Sequence, residues 1–167
     1  AAAAAAAAAT TTTTTTTTTN NDHNISTVTW NCCRRALRDF DQTVDLLIQH
    51  FNNETVFMLQ EAIYWKRLHR RTYRNYVYYA HPSSEAGILV PKHIHKHIKT
   101  THHGKDWLAI TTTNTAFISM HIIDVHKRND DNRYGTLRNE LQHFKDQHTN
   151  ITDYIFGADF NTTPLAN

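Results

Sequence analysis

The sequence predicts an α/β protein, and three observations carry that prediction. Residues 25–30 are a short run rich in β-branched side chains, Val44, Leu47, Ile48 and Phe51 recur at helical spacing, and residues 56–59 are continuously apolar. A strand, an amphipathic helix and a buried strand in that order open a parallel sheet. Three apolar runs, ending at Trp30, Leu59 and Phe156, each lead into amide or carboxylate side chains. Polar groups past the C-terminal ends of buried strands sit where α/β proteins usually place their chemistry.

The elements follow in order. Residues 25–30 are a strand that stops at Asn31. Asp39 with Gln42 is a capping pair that starts the first helix, and Asn52-Asn53 ends it. After the buried strand, Tyr64, Leu68 and Arg71 fit a short helix. Residues 73–80 and 86–90 fit two strands around His81-Pro82-Ser83-Ser84, and residues 91–103 are basic and histidine-rich without clear periodicity. Residues 107–113 and 115–123 read as a hairpin turning near Asn114, and residues 129–132 as a polar loop. Leu137, Leu141 and Phe144 mark a second helix, and residues 154–156 a closing buried strand.

Of 167 residues, positions 1–9 are alanine and 10–19 threonine, followed by Asn20 and Asn21. Residues 1–21 therefore read as a low-complexity tail that contributes nothing to a core, and residues 22–167 as one domain. The alanine run is too short to cross a membrane and lacks the basic flank of a signal peptide. The chain opens without Met, so a natural start is not expected there. Seventeen basic and fifteen acidic residues leave a net charge of +2, to which thirteen histidines can add at lower pH. That balance permits a nucleic-acid partner without demanding one. Cys32 and Cys33 are adjacent, which excludes a disulfide framework and favours a reducing, intracellular setting.

If the three strands lie parallel and side by side, Asn31, Glu61, Asp159 and Asn161 converge at one sheet edge. A hard cation such as Mg²⁺ takes carboxylate oxygens and commonly uses one or two of them with a substrate phosphate. Glu61 is the natural ligand, Asp159 can orient or deprotonate water, and the two asparagines can donate hydrogen bonds. Arg34, Arg35 and Arg38 follow the first strand, and Lys66, Arg67, Arg70 and Arg71 the second. Cations flanking such an edge would attract a polyanion.

Thr29-Trp30-Asn31, Leu59-Gln60-Glu61, Met120-His121 and Gly157-Ala158-Asp159-Phe160-Asn161 resemble, in order and spacing, the successive motifs of the endonuclease/exonuclease/phosphatase superfamily. The resemblance implies a four-layer α/β sandwich of the deoxyribonuclease-like type and hydrolysis of phosphate esters with Mg²⁺ or Mn²⁺. It gives Glu61 the metal, Asp159 the water, Asn161 the scissile phosphate, Asn31 a supporting role and His121 a place near the phosphate. Ala158 stands where the family usually has glycine, and Ile63 where the deoxyribonuclease branch has arginine. The family's closing strands, with their Asp and Ser-Asp-His motif, have no counterpart by Asn167. An N-terminal, C-terminally incomplete part of the domain is therefore expected.

Nuclease, phosphatase and sphingomyelinase branches share these motifs, and the basic residues tilt the reading towards a nucleic-acid substrate. A non-catalytic nucleic-acid-binding descendant is the alternative. His93, His95 and His97 alternate, so in a strand they would share one face and could bind Zn²⁺. His121, inside an apolar run, reads equally as a hydrogen-bonded core histidine.

Overall fold

A strand that is apolar at every position needs cover on both faces, and Thr55–Gln60 (β3) has it. All six of its residues are buried. Phe57 and Leu59 enter one apolar cluster, while Val56 and Met58 enter another on the opposite face. That alternation places β3 in the middle of a layered structure. The computed structural model describes residues 12–14, 25–32, 39–51, 53–122 and 132–159.

Two sheets make the inner layers. In the first, Thr12–Thr14 (β1), Ser26–Asn31 (β2), β3, Arg70–Tyr73 (β4), Tyr76–Ala80 (β5) and Gly87–Pro91 (β6) are ordered β1-β2-β3-β6-β5-β4. In the second, Thr100–His103 (β7), Trp107–Thr111 (β8), Thr115–His121 (β9) and Asp153–Asp159 (β10) run β10-β9-β8-β7. Phe40–His50 (α1) covers the outside of the first sheet: Phe40, Val44 and Leu47 pack with Val28, Phe57, Leu59 and Tyr78. Val56, Met58, Ile88, Val90, Leu108, Ile110, Phe117 and Ile155 fill the space between the sheets. Arg133–Gln147 (α3) closes the outside of the second sheet through Leu137 and Phe144 against Trp107, Ile118 and Met120. Three apolar interfaces thus separate four layers, as expected.

Two crossovers set the geometry of the site. β2, α1 and β3 form one unit, with β2 and β3 parallel and Asn31 opposite Gln60. β9, α3 and β10 form the other, with Asp159 opposite His121. Asp39 caps α1 by accepting from the backbone N–H groups of Asp41 and Gln42. That bond satisfies donors that a helix start leaves open.

Several local expectations are corrected. Tyr64, Leu68 and Arg71 do not share a helix. Buried Trp65 anchors successive turns, with Trp65 N–H donating to Ala62 and Leu68 N–H to Trp65, and His69 has φ of 49°. Arg71 then belongs to β4 and pairs with Asp41 at 2.7 Å. The strand expected over residues 73–80 is broken by Arg74, which also has φ of 49°, and the break makes the β4–β5 hairpin. The histidine-rich stretch contains the short helix Lys92–His95 (α2), where residues two apart do not share a face. His93 pairs with Glu54 at 2.8 Å, whereas His95 contacts Tyr79 Oη at 2.6 Å and Arg70 at 2.8 Å. Their side chains engage different partners and do not converge.

The tail is not wholly outside the fold. Thr12–Thr14 pairs antiparallel with β2, Thr12 opposite Thr29. Sheet pairing uses backbone groups that a monotonous sequence also carries, and threonine's β-branch suits the pleat.

An ion pair unforeseen from the sequence ties α3 to the second sheet. Arg133 and Asp106 are both buried, and the guanidinium meets the carboxylate through two nitrogens, Nε at 2.6 Å and Nη2 in a shorter contact. The Asp106 carbonyl also accepts the backbone N–H of His121 at 2.8 Å. Arg133→Met is expected to cost roughly 3–5 kcal/mol in urea unfolding, because it strands a buried carboxylate. Asp106→Leu combined with Arg133→Met should recover most of that loss. Equal stability of wild type and Arg133→Met would contradict it.

Candidate metal centre

The condition that the three strands lie side by side in one sheet is not met. β2 and β3 end together in the first sheet, but β10 ends beside β9 in the second. The tips converge because the two sheets pack face to face. Asn31 and Glu61 come from one layer, and His121 and Asp159 from the other.

The close approach has a specific cause. A Cβ at Gly157 would lie 2.5 Å from Thr29 Oγ1 and 2.6 Å from Met58 Cβ, so only glycine lets β10 come this near to β2 and β3. Polar bridges hold the two layers in register. Fully buried Gln60 donates through Nε2 to Met58 O at 3.0 Å, and to Ser119 Oγ and Gly157 O at 3.3 Å. Ser119 Oγ donates in turn to Leu59 O at 2.9 Å. Gln60 is thus a clamp between the sheets, and its neighbour Glu61 reaches the site.

Glu61 directly follows β3 with φ of 53°, in the left-handed region that non-glycine residues rarely occupy. Such backbone strain costs about 1–3 kcal/mol and gathers at functional positions. The Asn31 side chain lies between the two acids. Its Nδ2 donates to Glu61 Oε1 at 3.2 Å and, in a shorter contact, to Asp159 Oδ2. His121 is 2% exposed. Its Nε2 lies 3.8 Å from Glu61 Oε1, and its Nδ1 lies 3.4 Å from Glu85 Oε2. The ring is thus buried and faces the acids.

Glu61, His121 and Asp159 each offer a ligand atom, and the three atoms lie within 4.8 Å of one another. The donor set tests whether a metal ion fits. Two carboxylates and an imidazole, with Asn31 bracing the acids, suit a hard or borderline divalent cation. Three acids around one histidine also supply negative charge that a cation would neutralise. Asp159 and His121 therefore lie within reach of an ion held by Glu61.

Glu85 escaped the sequence reading because it precedes a strand and follows a turn. Pairing of β3 with β6 in antiparallel sense brings the start of β6 beside the end of β3, and Ala62 N–H donates to Glu85 O at 2.9 Å. Asn161, Arg34, Arg35 and Arg38 lie outside the described residues. Lys66 is half-buried in the turn after Glu61, and Arg67 is exposed there. Arg70 begins β4 and sits over the Tyr79 ring, three strands from β3.

Among solved structures, the fold is similar to the endonuclease domain of TRAS1, a telomere-specific non-LTR retrotransposon. The TM-score is 0.51 at 14% identity, over 82% of this chain and 59% of that one. The chain carries the endonuclease/exonuclease/phosphatase fold. At such low identity the likeness is one of fold, and this chain spans about three-fifths of the solved domain's length. No family model matches the sequence, and no curated protein does. Within the endonuclease/exonuclease/phosphatase fold, the acids occupy the tips of the two parallel strand pairs. Among the described residues, no helix is long and apolar enough to cross a membrane.

Proposed function

We propose that this domain hydrolyses phosphodiesters of a nucleic acid with Mg²⁺ or Mn²⁺, as an endonuclease-like enzyme. The convergence of Glu61, His121 and Asp159 from two sheets is the observation that carries the reading. Glu61 would hold the cation, with Asp159 and His121 within reach of it. When bound, the cation supplies Lewis-acid polarisation of the phosphoryl oxygen and charge stabilisation at the leaving oxygen.

The remaining steps belong to the side chains. Asp159, oriented by Asn31, accepts a proton from the attacking water as its oxygen bonds to phosphorus. The phosphorus–oxygen bond to the leaving sugar breaks, and that oxygen takes a proton from solvent. His121, whose ring Glu85 orients, donates a hydrogen bond to a phosphoryl oxygen, and Asn161 is assigned a second such contact. Lys66 and Arg67, in the turn after Glu61, would offer basic groups to a polyanion, and Arg34, Arg35, Arg38 and Arg70 are the further basic residues assigned to it.

Nicking of supercoiled plasmid in Mg²⁺ tests this reading. Asp159→Asn should lower the rate by about 100-fold or more, the usual contribution of a positioned base. Equal rates for wild type and Asp159→Asn would overturn the assignment. Salt-dependent binding without nicking by the wild type would instead favour a non-catalytic binder.

A further inference from the structure

A second group of side chains lies at the same end of the two sheets as the acids. His81 follows β5 and His103 ends β7, one from each sheet. Their rings stack with centroids 3.3 Å apart and planes 12° apart. Burial, then the nearby His103 and His69, hold His81 below the ordinary histidine range. Ser83 N–H donates to His81 Nδ1 at 3.2 Å, which fixes that nitrogen as the acceptor.

Exposed His103 also lines a cleft of about 370 Å³ between β7, β8 and α3. Its other walls include His102, Trp107, Glu140, His143 and Phe144. Trp107 and Phe144 meet edge to face at 5.5 Å, and His102 meets Phe144 at 5.0 Å. The Trp107 indole N–H donates to Glu140 Oε2 at 2.7 Å, leaving Oε1 as a further acceptor. Trp107 and Phe144 are buried in the floor, whereas His103 and His143 are exposed at the rim, and a histidine rim with one or two convergent polar groups suits a flat, apolar-faced, polar-edged ligand. Nucleobases are such ligands, and histidine is among the side chains on which unpaired bases stack.

We propose that this cleft receives an unpaired nucleobase of the strand whose backbone lies at the acidic site. The inference rests on the nuclease reading of that site and names its substrate as nucleic acid with an unpaired nucleotide near the scissile phosphate. Two strand spacings, about 10 Å, separate β9, which carries His121, from β7. That span fits a base one or two nucleotides along the chain. The cleft lies on the outer side of the second sheet, walled by β7, β8 and α3. Glu140 Oε1 would accept from a base N–H, as the exocyclic amines of adenine, guanine and cytosine provide.

The test uses the full chain in EDTA, so that no cleavage occurs. A hairpin carrying one unpaired 2-aminopurine is compared with the fully paired duplex by fluorescence titration. The unpaired probe should bind at least about 10-fold more tightly, within the range that one base–aromatic stack provides. His103→Ala should erase most of that preference, and His103→Phe, which keeps a ring, should retain it. Circular dichroism of both variants confirms that they are folded. An unchanged preference in folded His103→Ala, or equal binding of both probes by the wild type, overturns the proposal. Free dGMP or dAMP binding as tightly as the hairpin would make the ligand a mononucleotide and overturn the assignment to a strand. The titration contains no metal ion, so loss of nicking in Mg²⁺ and loss of this preference are read separately, and failure of the metal-dependent reading and failure of this one are distinguishable.

Discussion

Glu61→Gln is expected to weaken Mn²⁺ or Mg²⁺ binding by at least about 100-fold, since even residues that only support a ligand contribute about 10–100-fold. Isothermal titration with Mn²⁺ measures it directly. The substitution keeps the side chain's size and its acceptor oxygen for Asn31, which now bonds both acids. What it removes is charge. The metal-free variant should therefore unfold at the same or a slightly higher temperature than the wild type, because Asp159 and Glu85 lose a like-charged neighbour. Added metal should raise the wild-type midpoint by mass action and leave the variant's unmoved. Tight binding that survives Glu61→Gln would place the ion elsewhere.

Gly157→Ala is the second substitution with a large expected effect. The new methyl would meet Thr29 Oγ1 and Met58 Cβ well inside contact distance. Neither belongs to the far end of a long, flexible side chain, so β10 must shift. Overpacking of this kind costs about 1–3 kcal/mol, which urea denaturation would report. The shift also carries Asp159 away from Glu61 and Asn31, and strains the Gln60 bond to Gly157 O. Metal affinity should fall although no ligand has changed. A variant of wild-type stability and affinity would show that the sheets have room to spare.

The sequence exposed the layers more readily than their junction. Buried β3 was legible because a strand covered on both faces leaves no polar positions, and α1 because its apolar stripe begins just after a capping Asp39. The tips at Asn31, Glu61 and Asp159 were legible for a related reason: polar residues after an apolar run stand out. Which sheet each strand joins is different, since it depends on long-range pairing that local periodicity does not encode. Hence local sequence leaves open whether β10 lies beside β2 and β3, and long-range pairing puts it beside β9. Glu85 and the Arg133–Asp106 pair were hidden for the same reason, as each acquires meaning only from a partner distant in sequence. Arginine does not advertise the left-handed backbone at Arg74, and the modest preference of histidine for it does not single out His69 among thirteen histidines.

The bond from Asn31 to Asp159 joins residues 128 positions apart. Contacts of such long range are costly in loop-closure entropy and tend to slow folding. The acidic site is consequently a late product of folding, absent from any partly made chain that has β2 and β3 but not β10. A polypeptide emerging from synthesis would carry Glu61 for almost a hundred residues before Asp159 arrived to join it. Any chemistry at this centre would therefore be withheld until the fold around it had closed.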